Sequence, residues 1–113
     1  MATPRNKILG QVAPTGTSYV NLFGAAVPAG HEYVVSTFTI NARNGVTALA
    51  SVRIRKGGAT AANEHDWWTD VTVVPGSPEN LTFGLTFEAT DVVEVKTSVA
   101  NALSFTAFGA DIS

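Results

Sequence analysis

The side chains able to do chemistry are few. There are two histidines, His31 and His65, and no cysteine. His65 sits in Glu64-His65-Asp66, three metal-capable groups in a row. A zinc-type site takes three or four ligands. Consecutive strand residues point to opposite faces, so Glu64 and Asp66 share one side with His65 behind them. His31 would have to complete a set from another strand, and nothing in the sequence brings it there. The triplet reads as a solvated, polar strand start, and no metal or other cofactor is expected. Nucleophilic catalysis has no better footing. The chain has no Gly-x-Ser-x-Gly elbow, phosphate-binding loop, dinucleotide fingerprint or calcium loop. Its carboxylates are scattered over turns and outward strand positions. No catalytic residue is assigned, and the chain is not expected to be an enzyme.

Groups suited to binding are better represented. In Trp67-Trp68, a regular strand would send one indole into the core and the other outward. An outward Trp suits a subunit interface, where Trp is a frequent energetic anchor. Stacking on a sugar, or local packing of both rings at a bulge or strand end, are the alternatives. Arg53, Arg55 and Lys56 form a basic stripe, with Arg53 and Arg55 about 7 Å apart on one face. Forked guanidiniums suit the carboxylates of an acidic partner; a solvated strand end is the alternative. One stripe on a chain of net charge −2 releases few counterions, so nucleic acid is not an expected partner. Residues 1–7 are polar, with Pro4, Arg5 and Lys7, and read as a frayed arm able to order against a neighbouring subunit. The candidate interface residues are Arg5, Lys7, Arg53, Arg55, Trp67 and Trp68.

These groups must be positioned by strands. Val34, Ser36, Phe38, Ile40 and Ala42 alternate with Val35, Thr37, Thr39 and Asn41, the period of a half-buried strand over His31–Ala42. Asn44-Gly45 follows, a hairpin turn signal. Ala48, Ala50, Val52 and Ile54 then alternate inward with Thr47, Leu49, Ser51, Arg53 and Arg55, predicting an antiparallel hairpin of these two strands. Further strands are predicted over Ile8–Val12, Tyr19–Phe23, Glu64–Val74, Leu81–Phe87, Asp91–Val99 and Leu103–Ala110. Phe105 and Phe108 are three apart, so a bulge near Ala107 is expected to put both rings on one side. No helical period runs through any window of eleven or more residues. The fold class predicted is all-β: a single antiparallel β-sandwich, jelly-roll-like, of about eight strands over residues 8–113.

Composition narrows the setting. The 113 residues are 45% hydrophobic and only 14% charged, against a usual charged share of about 25%. Low charge with ample apolar content argues against disorder and hints at surface meant to be covered by protein. Without cysteine there is no disulfide or thiolate site, so stability rests on the core or on subunit contacts. No apolar run reaches the roughly 18–20 residues that span a bilayer, and no membrane partner is expected. Arg5 and Lys7 are followed by no apolar signal core, so use without Sec-type export is expected, and the Asn80-Leu81-Thr82 sequon is discounted.

Several stretches resemble one group of proteins. Val27-Pro28-Ala29-Gly30 leads into Tyr33–Asn41, then an Asn-Gly turn and Val52-Arg53-Ile54-Arg55. Later come Ala89-Thr90-Asp91-Val92-Val93-Glu94-Val95 and Leu103-Ser104-Phe105-Thr106-Ala107-Phe108-Gly109, with Lys7-Ile8-Leu9-Gly10-Gln11 at the start. Together they are similar in style to small virion proteins of tailed bacteriophages, over most of the chain. The resemblance implies an all-β structural module that decorates capsids or sits in tails and fibres. On that basis a capsid decoration (cement) protein is expected, on the virion surface after synthesis in the bacterial host cytoplasm. Its expected partners are the major capsid protein and further copies of itself, a trimer being favoured. A tail, baseplate or fibre protein, and a carbohydrate-binding module using an exposed Trp with a glycan partner, are the rival expectations.

Overall fold

The computed structural model describes residues 4–113, and the side chains of all of these but Pro4, Arg5, Asn63 and Phe83. Eight strands follow one another: β1 (Pro4–Val12), β2 (Val20–Asn21), β3 (Glu32–Ala42), β4 (Ala48–Arg55), β5 (Asp66–Val73), β6 (Glu79–Phe87), β7 (Val92–Thr97) and β8 (Leu103–Ile112). Two single 3-10 turns, Lys56–Gly58 and Asn63–His65, join β4 to β5. The strands form two four-stranded sheets, β1-β8-β3-β6 and β2-β7-β4-β5, with every pairing antiparallel. Eight strands split this way between two packed sheets make a jelly roll, the predicted class.

Large and small side chains interlock between the sheets. The first contributes Phe38, Ile40, Leu103 and Phe105; the second answers with Ala48, Ala50, Val52, Val73 and Val95, all buried. Period-2 alternation puts them there. On β8 the residues Leu103, Phe105, Ala107, Gly109 and Asp111 point in, and those between them are more open. Gly109 is required where β8 meets β3, because a Cβ there would collide with the Val34 carbonyl oxygen.

Four details depart from the sequence reading. First, β3 and β4 do not pair. Asn44 and Gly45 do turn the chain, at φ 62 and 66, but the turn carries it across the sandwich. The Arg43 N–H and the Asn44 side chain bond to Ala102 and Asn101 of the β7–β8 connection. Crossing lets both apolar faces meet each other; a flat hairpin would leave them side by side. Second, β8 has no bulge at Ala107. The extra residues lie in its neighbours, Leu9 in β1 and Ser36 in β3, both beside Phe108. Phe105 is therefore buried while Phe108 faces outward, 44% exposed. Ser36 as a bulge also puts Val35 and Phe38 on the same inner face, against the alternation read from sequence. Third, β1 begins at Pro4, so residues 4–7, expected as an arm, pair with Gly109–Ile112 of β8. Residues 1–3 of that arm lie outside the described residues. Fourth, β2 is only two residues long, and the chain from Phe23 to β3 is loop, anchored by buried Val27.

Candidate interaction site

The outer face of the second sheet carries a charged cluster. Register places Arg53 of β4 opposite Glu94 of β7. Arg53 Nε donates to Glu94 Oε1 at 2.7 Å, and Arg55 Nε donates to the same oxygen at 2.9 Å. The Arg53 guanidinium also lies 3.9 Å from the centre of the Tyr19 ring, with Lys96 Nζ at 5.0 Å. Burial, then the negative charge of Asp66, pushes the Tyr19 hydroxyl above its ordinary range, although Arg53 pulls the other way. The basic stripe is thus no free row of cations. Glu94, 39 residues from Arg55 in the chain, neutralises one of the two guanidinium charges. Lys56 is paired as well, with Glu88 at 3.1 Å and Asp91 at 3.3 Å.

Two buried carboxylates tie the sandwich together at its ends. Asp91 accepts the Gly57 N–H and the Glu88 N–H, each at 2.8 Å. It thereby joins the β6–β7 turn to the β4–β5 connection. Burial works against its charge, but those two N–H groups and Lys56 outweigh it and hold the carboxyl below its ordinary value. Asp111 of β8 accepts from His31 Nδ1 at 2.8 Å and from Lys7 Nζ at 3.0 Å. The His31 bond, followed by Lys7, lowers its pKa against a smaller opposing effect of burial. Both groups are harder to protonate folded than unfolded. Their stabilisation is complete above the ordinary carboxylate value of 3.8 and is lost as pH falls below it through the folded values. Thermal midpoints are therefore expected to drop on acidification below about pH 4, and Asp111→Asn to flatten that dependence. A melting profile of Asp111→Asn as steep in acid as the wild type would contradict this.

The two tryptophans are placed by irregular pairing. Val52 is opposite Trp68 while Arg53 is opposite Asp66, so Trp67 is an extra residue in β5. The bulge turns both indoles toward the core. Trp67 stacks on Phe38 at 6.3 Å and 15°, Trp68 tilts against the same ring at 5.6 Å, and the two indoles lie 5.6 Å apart. The expected split of one ring in and one out is replaced by local packing of both at a bulge, and both remain partly exposed. Lys7 is paired with Asp111, and the side chain of Arg5 lies outside the described residues. The histidines are at separate places: His31 meets Asp111, and His65 Nδ1 accepts the Ala62 N–H at 3.0 Å. Glu64-His65-Asp66 is a turn entering β5.

Sequence reasoning missed the outer face of the first sheet. Ile8 and Phe108 are directly opposite on β1 and β8, and are 52% and 44% exposed. Around them the outward residues of β3, β6 and β8 are chiefly Thr, Ser, Asn, Val and Ala. Plain alternation through β8, with no bulge invoked, would have found Phe108.

Jelly rolls of two four-stranded sheets are the class this architecture defines. No family model and no curated protein matches the chain. Among solved structures, a chain of the acid-stable capsid of Helicobacter pylori bacteriophage KHP30 is similar in fold, with a TM-score of 0.53 and 15% identity. The match covers 100% of this chain and 94% of that one. A chain of the infectious bursal disease virus particle is similar with a TM-score of 0.55 and 14% identity, over 96% of this chain and 30% of that one. The Gx strain of the same virus gives 0.50 and 13%, over 98% and 32%. The chain spans about a third of the length of the bursal virus chains and nearly all of the phage one.

Proposed function

We propose that this chain is a non-enzymatic structural protein of a virus particle, and specifically a decoration (cement) protein on the outer surface of a phage capsid. The observation that carries the reading is the near end-to-end correspondence of its fold with a chain of similar length from a phage capsid. The sequence resemblance to small tailed-phage virion proteins adds to it. The mechanism is energetic. Each copy binds the major capsid protein and shifts the shell toward its assembled state by mass action. Symmetry-related sites turn a modest contact into a strong one through multivalency.

Among the residues first read as contacts, Arg53 and Arg55 are the most suitable for the shell. Their side chains are 22% exposed, and with Glu94 they keep one net positive charge. Arg55→Gln is expected to weaken capsid binding several-fold and to reduce its salt dependence. Binding measured at two salt concentrations checks this; an unchanged salt response removes Arg55 from the contact.

Location tests the reading as a whole. A gold-tagged copy, viewed on particles by negative-stain microscopy, should label the head over its whole surface. Label confined to the tail would replace the decoration role with the tail reading, and unlabelled particles would overturn both.

A further inference from the structure

We propose that the outer face of the β1-β8-β3-β6 sheet is a self-association surface, on which a second copy of this chain docks about a two-fold axis near Phe108. The inference is independent of the capsid reading. The first observation is the exposed Ile8–Phe108 pair, set directly opposite across β1 and β8. Bulges at Leu9 and Ser36 flank Phe108 on both sides, and the Ser36 hydroxyl donates to the Phe108 carbonyl at 3.2 Å. Bulges re-aim side chains at functional places, and here two of them present one ring.

The second observation is charge. Among the described residues, the outward positions of this sheet carry one charged side chain, Glu32 at the start of β3. Glu32 pairs with Ile112, four residues along β8 from Phe108, or about 14 Å at strand rise. A two-fold axis lying in the contact plane and crossing the strands at Phe108 sends the two Glu32 carboxylates to opposite ends of the contact, roughly 27 Å apart and well beyond the screening length of about 8 Å. A self-contact therefore meets no like-charge cost. The outer face of the other sheet holds Arg53, Arg55, Glu94 and Lys96, and burying it would strip water from all four.

The third is area. Four strands about 4.8 Å apart and some eight residues long offer roughly 500 Å² per copy. Two copies bury about 1,000 Å², the lower end of specific interfaces. The dimer is accordingly concentration-dependent. A two-fold contact uses one patch on both copies, which a single neutral face supplies.

Analytical ultracentrifugation of the full chain from about 1 µM to 1 mM tests the proposal. The mass should rise from 11.8 kDa toward twice that value, with little response to salt. Phe108→Glu and Ile8→Glu, both at exposed positions, should each raise the dissociation constant at least tenfold while leaving the thermal midpoint near the wild-type value. Thr106→Glu, on the same face, is a further check should either variant melt early. A monomer throughout overturns the proposal. So does a trimer, or a dimer indifferent to these changes. Capsid co-sedimentation reports separately on the decoration reading, so the failure of one is distinguishable from the failure of the other.

Discussion

Asp91→Ala is expected to cost about 2–4 kcal/mol of stability, read as a lower midpoint in urea or guanidinium unfolding. The side chain is 3% exposed and lies among the most buried of the fold. It supplies the acceptor for two backbone N–H groups, Gly57 and Glu88. Removing one partner of a buried bond costs about 1–3 kcal/mol per orphaned group, and water entering the vacated space recovers part of it. The backbone of Asp91 also bonds to Val27 through its carbonyl. Loss of the carboxylate therefore loosens the β6–β7 turn and the β4–β5 connection together at one end of the sandwich. Asp91→Asn keeps one acceptor but turns an amide toward the other N–H, so it should fall between the alanine variant and the wild type. For a domain of this length total stability is about 6–15 kcal/mol, which makes the alanine variant easily measured. A midpoint within experimental error of the wild type would show that the two turns hold together without Asp91.

Phe38→Ala should be more damaging, by about 3–5 kcal/mol. Phe38 is 2% exposed and touches three aromatic rings: Trp67, Trp68 and Phe105, with centroids 5.6 to 6.3 Å away. The cost has two parts, the lost transfer of the ring out of water and the cavity it leaves. Aromatic contacts add to both. A second readout follows from the geometry. Both indoles pack against Phe38, so tryptophan emission should shift to the red as they gain water. A stable variant with unshifted emission would contradict the packing described for β5.

The tryptophan pair shows where sequence reasoning reaches its limit. Alternation locates strands well: the inward row Ala48-Ala50-Val52 was legible because each side chain follows from the last by simple period 2. A bulge adds one residue and reverses that parity, and no residue type announces it. Trp67, Ser36 and Leu9 are all such residues, so Val35 was put on the wrong face and one indole was expected outward, while a bulge expected at Ala107, where β8 has none, hid Phe108. Pairing was the second limit. Asn44-Gly45 carries the chemistry of a turn, but a turn is local and does not choose which strands pair. The partners of β3 are β6 and β8, both distant in the chain. The ion pairs were hidden for the same reason. Arg55 and Glu94 meet because β4 and β7 are neighbours in the sheet, a fact of topology. The fold class was legible even so, because it needs only the number of strands, their alternation and the turns between them.

The proposed decoration role requires this chain to bind a capsid shell from outside. Its most direct test is to mix the purified protein with expanded, undecorated phage capsids and measure co-sedimentation against concentration. Saturable binding is expected, at a number of copies set by the shell's symmetry, with capsids that resist heat better when loaded. Protein that stays in the supernatant at every concentration would contradict it.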